Sequence, residues 1–190
     1  MTAVTENPWH LLPHPQSLTR PAAELAVSLA WLGDGLTLGY RYTWRDVSAQ
    51  ALQPPAAPAG PADGLWKATC FELFIGDPAT PAYREFNLAP DGRHAHYAFV
   101  RPRERDPAGA PDAPWPSIRV EAEPGSLAVT ALLPRAALPQ RLDGPLGLSA
   151  VIDHGGGQLT YWALHHPGER PDFHDRRGWT ARLPHPTVPR

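Results

Sequence analysis

Proline content is the feature that most limits how this chain can fold. Of its 190 residues, 25 are proline, more than twice the usual share of about 5%. Because proline lacks a backbone N–H and its ring clashes with the preceding helical turn, long helices are excluded from most of the chain. The prolines concentrate in 54–61 and 102–116, where they predict loops and sheet edges. We therefore expect short strands joined by proline-rich connections.

Runs of alternating apolar residues predict about ten strands. Apolar residues at period two in 25–31 and 36–44 indicate a hairpin that turns at Gly33-Asp34-Gly35. One helical turn is expected at 134–138. The strand count, the turn spacing and the lack of βαβ alternation predict an all-β fold, a two-sheet antiparallel β-sandwich. The other predicted strands are 66–75, 82–89, 93–100, 117–123, 126–133, 146–152, 159–165 and 178–183.

The length of the chain suits one domain. We expect an extended lead-in at 1–22, a single β-sandwich domain at 23–184 and a tail at 185–190. The sequence contains no internal repeat and no sign of a second domain.

Charge and hydropathy exclude several classes of partner. The net charge is −2, so no basic field attracts nucleic acid or an anionic membrane. No apolar run approaches the ~18 residues of a membrane span, and the first twenty residues lack the apolar region of a signal peptide. We therefore expect a cytoplasmic protein with neither nucleic acid nor membrane as partner. The oligomeric state is left open.

A carboxylate stands between apolar residues in 65–75. Strand parity puts Phe71 and Leu73 on one face and Cys70 and Glu72 on the other. Both faces are partly apolar, which indicates a central strand. A glutamate there needs a partner or a solvated cavity. A salt-bridged or edge-exposed Glu72 is the alternative.

Two further segments carry polar or aromatic candidates. Tyr83, Glu85 and Asn87 share one face of the strand at 82–89, where they could bond ligand hydroxyls or form an ordinary solvated face. Tyr161 and Trp162 point to opposite faces, so one belongs to the core and the other lies near a surface.

Metal and nucleophile motifs are weak. His165, His166 and His174, with Asp172 between them, match no zinc-binding spacing. Cys70 is the only cysteine, so no intrachain disulfide forms. It could act as a nucleophile beside a histidine, or be a small buried hydrophobe.

Enzyme signatures are also absent. There is no Gly-x-Ser-x-Gly elbow and no P-loop. Glu72 and Glu85 lie on strands that could be neighbours. They could then form the carboxylate pair of a glycoside hydrolase, which requires a separation of about 5–10 Å.

Three motifs resemble the bacterial DOMON-like proteins, which are related to family-9 carbohydrate-binding modules. They are Trp-x-x-x-Cys-Phe-Glu at 66–72, Glu-Phe-Asn-x-x-Pro-x-Gly at 85–92, and Tyr-Trp-Ala-Leu-x-His-Pro followed by Pro-Asp-Phe-His within 161–174. The likeness spans about residues 25–183. It implies a β-sandwich of the DOMON type.

The resemblance also implies site residues. In the sugar-binding relatives two aromatic side chains clamp a sugar while carboxylate and amide groups bond its hydroxyls. Trp66 and Trp162 match the two walls, and Glu72 matches a hydroxyl acceptor. With Glu85 and Asn87 as weaker matches, and with His165 added as a further polar contact of the hypothesis, the complete expected ligand-binding set is Trp66, Glu72, Glu85, Asn87, Trp162 and His165.

The sequence favours a non-catalytic module that binds a small molecule, most of all a carbohydrate, without cofactor or metal. Two alternatives stay open. One is a hydrolase that acts through Glu72 and Glu85. The other is haem binding, for which DOMON relatives use methionine and histidine ligands. Since Met1 is the only methionine here, a bis-histidine site would be needed.

Overall fold

The computed structural model describes residues 3–4, 8–17, 22–45, 59–109 and 116–184. The predicted tail at 185–190 lies outside these ranges. The described chain is built from strands and short 3₁₀ turns, so the all-β class is confirmed. In chain order its strands are β1 (Ala3–Val4), β2 (Trp9–Pro13), β3 (Ala23–Leu32), β4 (Gly35–Trp44), β5 (Gly60–Pro61), β6 (Cys70–Gly76), β7 (Tyr83–Leu88), β8 (Arg93–Arg101), β9 (Glu104–Arg105), β10 (Ser117–Glu123), β11 (Ser126–Leu133), β12 (Leu146–Asp153) and β13 (Leu159–Ala163).

These strands form one continuous sheet. Its order is β10-β11-β4-β3-β2-β13-β12-β6-β7-β8-β5, with β1 beside β3 and β9 beside β8. Residues 9–11 of β2 pair with β3, whereas Leu12 and Pro13 pair with β13. A two-sheet sandwich is therefore not confirmed. Strand β2, which belongs to the expected lead-in, joins two halves of this sheet. We call them the β3 half (β10, β11, β4, β3) and the β6 half (β13, β12, β6, β7, β8).

One apolar core lies between the two halves. Alternate residues of β3 and β4 are buried, as their period-two pattern predicts. They belong to the same cluster as Phe71, Leu73 and Ile75 of β6. The Tyr40 hydroxyl of β4 donates to the Glu72 carbonyl oxygen of β6 at 2.5 Å. The sheet thus curls around its own apolar face.

Strand β6 is buried along its whole length, as predicted for a central strand. Its residues alternate between the core and the outer face of the β6 half. Cys70 and Phe74 belong to two smaller clusters outside the core. The outer face of this half is therefore partly covered, which allows it to carry a cavity.

The strand predicted to begin at residue 66 begins at Cys70 instead. Leu65–Lys67 forms a 3₁₀ turn, entered through Gly64 with φ of 75°, a conformation that glycine adopts without steric cost. This turn takes Trp66 out of the sheet and leaves it 40% exposed.

The strand predicted at 178–183 does not form. The chain there forms a 3₁₀ turn at Arg176–Gly178 and a single bridge between Ala181 and Leu146. The helical turn expected at 134–138 is confirmed as a 3₁₀ turn. No helix in the described part of the chain is long and apolar enough to cross a membrane.

Candidate functional site

A cavity of about 300 Å³ opens on the outer face of the β6 half. Alternate residues of five neighbouring strands form its floor, because period-two geometry turns the intervening residues into the core. The turn at 65–67, the hairpin of β8 and β9, and residues 165–178 (the covering segment) surround it. Its volume lies at the lower end of the range for small-molecule sites. The lining residues are Trp66, Glu72, Glu85, Tyr97, Phe99, Arg103, Arg105, Val151, Tyr161, Pro171, Phe173 and His174.

Two carboxyl groups lie on the floor. Glu72 pairs across the sheet with Asn87 of β7 and with Ser149 of β12. Glu85 lies two residues before Asn87 on β7, so it is on the same face of the sheet as Glu72 and diagonal to it. Glu72 and Glu85 are 3% and 4% exposed. Asn87 Nδ2 donates to Glu85 Oε1 at 2.9 Å, and Ser149 Oγ lies 3.4 Å from Glu72 Oε2.

Burial shifts the titration of both carboxyl groups. It raises the pKa of Glu72 well above the usual value, and the neighbouring Glu85 raises it further. Burial also raises the pKa of Glu85 to about 7, although the hydrogen bond from Asn87 acts in the opposite direction. Desolvation disfavours the charged form of a carboxyl group. At neutral pH the floor therefore holds protons rather than two full negative charges.

His174 lies beside Glu85 as a neutral imidazole. Burial and, to a smaller extent, the nearby Arg103 lower the pKa of His174 to about 4. The Tyr83 hydroxyl accepts the Arg103 backbone N–H at 3.2 Å and lies 2.6 Å from His174 Nδ1. If this hydroxyl donates to Nδ1, the imidazole proton is on Nε2. Nε2 lies 3.9 Å from Glu85 Oε2, too far for a hydrogen bond.

Aromatic rings form two sides of the cavity. Trp66 meets Tyr97 edge to face, with ring centroids 6.2 Å apart. Tyr161 and Phe173 form a second, tilted pair, also at 6.2 Å. Apolar rings above a polar floor suit a ligand that has an apolar face and polar edges.

The covering segment is anchored to the sheet. Trp179 Nε1 donates to the Phe173 carbonyl oxygen at 2.8 Å, and its ring stacks on Phe74 with centroids 5.4 Å apart. Arg176 donates to two carbonyl oxygens of the loop at 77–80, each at 2.6 Å. These contacts hold Phe173 at the side of the cavity.

Two arginines stand at the rim, and each has an acidic partner. Arg103 Nη2 lies 2.8 Å from Asp172 Oδ1, and Arg105 Nη2 lies 3.0 Å from Asp63 Oδ1. The Arg105 guanidinium also lies over the Tyr97 ring, 4.3 Å from its centroid. The Tyr97 hydroxyl donates to Asp63. The rim is therefore polar but locally neutralised.

Four of the six expected site residues are grouped here. Trp66, Glu72 and Glu85 line the cavity. Asn87 lies behind them, fully buried, and orients the Glu85 carboxyl group. Among the described residues Asn87 Oδ1 has no hydrogen-bond partner.

Trp162 and His165 do not line the cavity, which corrects the expectation for both. Trp162 is 1% exposed and belongs to the core, where it meets Tyr42 edge to face at 5.8 Å. The larger indole fills space between the two halves of the sheet, and Tyr161 takes the outward position. His165 borders a separate recess of about 10 Å³.

Sequence reasoning missed several lining residues. Phe173 and His174 belong to the Pro-Asp-Phe-His motif, but no local pattern indicated where this segment would lie. Tyr97 is on the same face of β8 as Phe99, a period-two signal that was available. Arg105 lies in β9, within a stretch that proline content predicted to be a loop.

Metal, haem and thiol chemistry find little support in these residues. No group of three His, Cys, Asp or Glu side chains within the described ranges is placed to hold a metal ion. Two histidine ligands for haem do not fit, since His174 is the one histidine among the described lining residues. Cys70 is fully buried, and burial raises the pKa of its thiol, which disfavours the nucleophilic thiolate.

Comparison with known proteins supports the fold. No family model matches the chain, and no curated protein matches its sequence. A family-9 carbohydrate-binding module from Caldicellulosiruptor kristjanssonii, solved with cellotriose, has a TM-score of 0.46 at 8% identity over 80% of this chain and 70% of that one. A putative carbohydrate-binding protein from Bacteroides uniformis has a TM-score of 0.62 at 20% identity over 92% of this chain and 83% of that one. The chain therefore shares the fold of the Bacteroides uniformis protein.

Proposed function

We propose that this chain is a non-catalytic module that binds a small carbohydrate in the cavity on the β6 half. The observation that carries the proposal is the combination of aromatic sides with a floor of two buried carboxyl groups, Glu72 and Glu85. The description of the Bacteroides uniformis protein as a putative carbohydrate-binding protein supports it.

Sugar rings match this arrangement chemically. Their C–H faces are apolar, and their edges carry hydroxyl groups that both donate and accept hydrogen bonds. Trp66, exposed beside the floor, offers a flat ring for stacking. A protonated Glu72 can donate to a hydroxyl oxygen, and Glu85 Oε2 can accept from a hydroxyl group. A volume of about 300 Å³ suits a ligand of one or two rings.

A calorimetric screen with monosaccharides and disaccharides tests this proposal. We expect binding by the wild type and at least about tenfold weaker binding by Trp66→Ala, because the stacking surface is lost. Leu32→Ala is the matched control, since Leu32 is also an exposed apolar residue but lies away from the cavity. No heat with any sugar, or equal affinities for wild type and Trp66→Ala, would contradict the proposal.

A second candidate function is hydrolysis of a glycosidic or related bond. It is favoured by two carboxyl groups in one cavity, both with pKa values raised by burial, as a general acid requires. Release of the aryl group from an aryl glycoside, lost in both Glu72→Gln and Glu85→Gln, would support it. Sugar binding by the wild type without turnover would reject it in favour of the binding module.

A further inference from the structure

The floor of the cavity contains hydrogen-bond acceptors that lack donors. Glu85 Oε2 and Asn87 Oδ1 are buried atoms with no hydrogen-bond partner in the described part of the chain. The two residues are 4% and 0% exposed. Buried acceptors are normally paired. Because Glu85 lines the cavity, a ligand can supply the donor that Glu85 Oε2 lacks.

The protein itself offers no free cation at this point. Arg103 and Arg105 are held at the rim by Asp172 and Asp63. His174 Nε2 lies 3.9 Å from Glu85 Oε2, and the imidazole is neutral at ordinary pH because burial lowers its pKa to about 4. The floor therefore combines two carboxyl groups with no positive charge in hydrogen-bond contact among the described residues.

The sides of the cavity also favour a cation. Trp66, Tyr161 and Phe173 lie around the floor, whereas the Arg105 guanidinium already covers the Tyr97 ring, 4.3 Å from its centroid. The faces of aromatic rings carry negative electrostatic potential and attract ammonium groups. A neutral polyol uses the rings for stacking alone, whereas an ammonium group benefits from both the rings and the carboxyl floor.

We infer that the cavity binds an aminated sugar whose ammonium group lies on the floor against Glu85 and Glu72, between the two aromatic pairs. This inference rests on the proposed function and names its ligand class. The ammonium group has three N–H donors. One meets Glu85 Oε2, another meets the Glu72 carboxyl group, and the single positive charge offsets an ionised glutamate.

Acidic partners reduce the repulsion between the rim arginines and a bound cation. Arg103 and Arg105 have exposed side chains that are already paired with carboxylates. Exposed, paired charges are screened by water and salt.

Binding of the cation is expected to be linked to proton release. Without ligand, burial raises the pKa of Glu85 to about 7 and that of Glu72 well above its usual value. An ammonium group favours the ionised carboxylate, so affinity should rise as pH increases from about 5 to about 7. The titratable and charged groups facing the floor are Glu72, Glu85, Cys70, His174, Tyr83, Tyr97, Asp63, Asp172, Arg103 and Arg105.

Two matched ligand pairs test the inference by titration calorimetry. Glucosamine and glucose differ by an amine in place of a hydroxyl group, and so do cyclohexylamine and cyclohexanol, which are not sugars. We expect glucosamine to bind at least about tenfold more tightly than glucose, since charge-assisted hydrogen bonds are the stronger kind. The ratio of the two affinities should fall toward one in Glu85→Gln. It should stay unchanged in Glu123→Gln, a control that alters an exposed carboxylate on β10.

The outcomes separate this inference from the proposed function. Glucose binding as tightly as glucosamine would overturn the amine preference and leave carbohydrate binding intact. Binding of cyclohexylamine without either sugar would support amine recognition and overturn carbohydrate binding. Failure of all four compounds to bind would overturn both. An amine preference that persists in Glu85→Gln would overturn the assignment of the floor as the ammonium site.

Discussion

Replacing Glu85 with glutamine should make this protein more stable above about pH 7, although Glu85 lies at the centre of the proposed site. Glu85 is 4% exposed, and burial raises the pKa of its carboxyl group from 4.5 to about 7. The folded state therefore holds the proton more tightly than the unfolded chain does. Glutamine has nearly the same shape, keeps an oxygen for Asn87 and has no charge to desolvate.

The pKa shift sets the size of the effect. Each pKa unit corresponds to about 1.4 kcal/mol, so ionising Glu85 lowers the free energy of unfolding by about 3 kcal/mol. Because the folded-state pKa is the higher one, this loss is absent below about pH 4.5. It grows as pH rises toward 7 and is constant above that. Glu72 changes stability in the same direction, and loss of the Glu85 charge also relieves Glu72.

Urea unfolding of wild type, Glu85→Gln and the control Glu123→Gln at about pH 5 and about pH 8 measures this difference. We expect Glu85→Gln to exceed the wild type by about 3 kcal/mol at the higher pH and by about 1 kcal/mol or less at the lower pH. Glu123→Gln should follow the wild type at both. The reasoning is refuted if the advantage of Glu85→Gln is the same at the two pH values, or if it is absent.

Two further predictions concern the core and a close backbone contact. Trp162→Ala should lower the free energy of unfolding by about 3–5 kcal/mol, because removing the indole leaves a cavity in the core. Trp66→Ala, at an exposed site, should lower it far less in the same urea titration. Equal losses would show that Trp162 is not the core residue. Gly144→Ala should cost about 3 kcal/mol, since an added Cβ would lie 1.7 Å from the Gly76 carbonyl oxygen. Gly168→Ala is the control, because its nearest neighbour would be 3.5 Å away, and a Gly144→Ala protein as stable as this control would contradict the close contact.

The proposed site illustrates how binding and stability oppose each other. Burying Glu72 and Glu85 without hydrogen-bonded cations destabilises the empty protein at neutral pH. A ligand that satisfies these groups stabilises the folded state by mass action. The same two residues thus link the pH dependence of unfolding to the chemistry of the ligand.

The sequence by itself determined the all-β class and which side chains lie on the same face of each strand. Proline excluded long helices, and alternation located β3, β4, β7 and β8 within two residues, although the start of β6 was predicted four residues too early. Parity put Phe71 and Glu72 on opposite faces, as the structure has them. These are local properties, since an extended backbone turns successive side chains to opposite sides whatever surrounds it.

Only the tertiary structure decided which face became the core and what covered the other. Parity left Tyr161 and Trp162 equivalent until packing between the two halves of the sheet put the indole inside. His174 reaches Tyr83 across 91 residues of chain, and β2 bridges the halves through pairings with β3 and β13. Such contacts depend on the packing energies of segments distant in sequence, which no local pattern records.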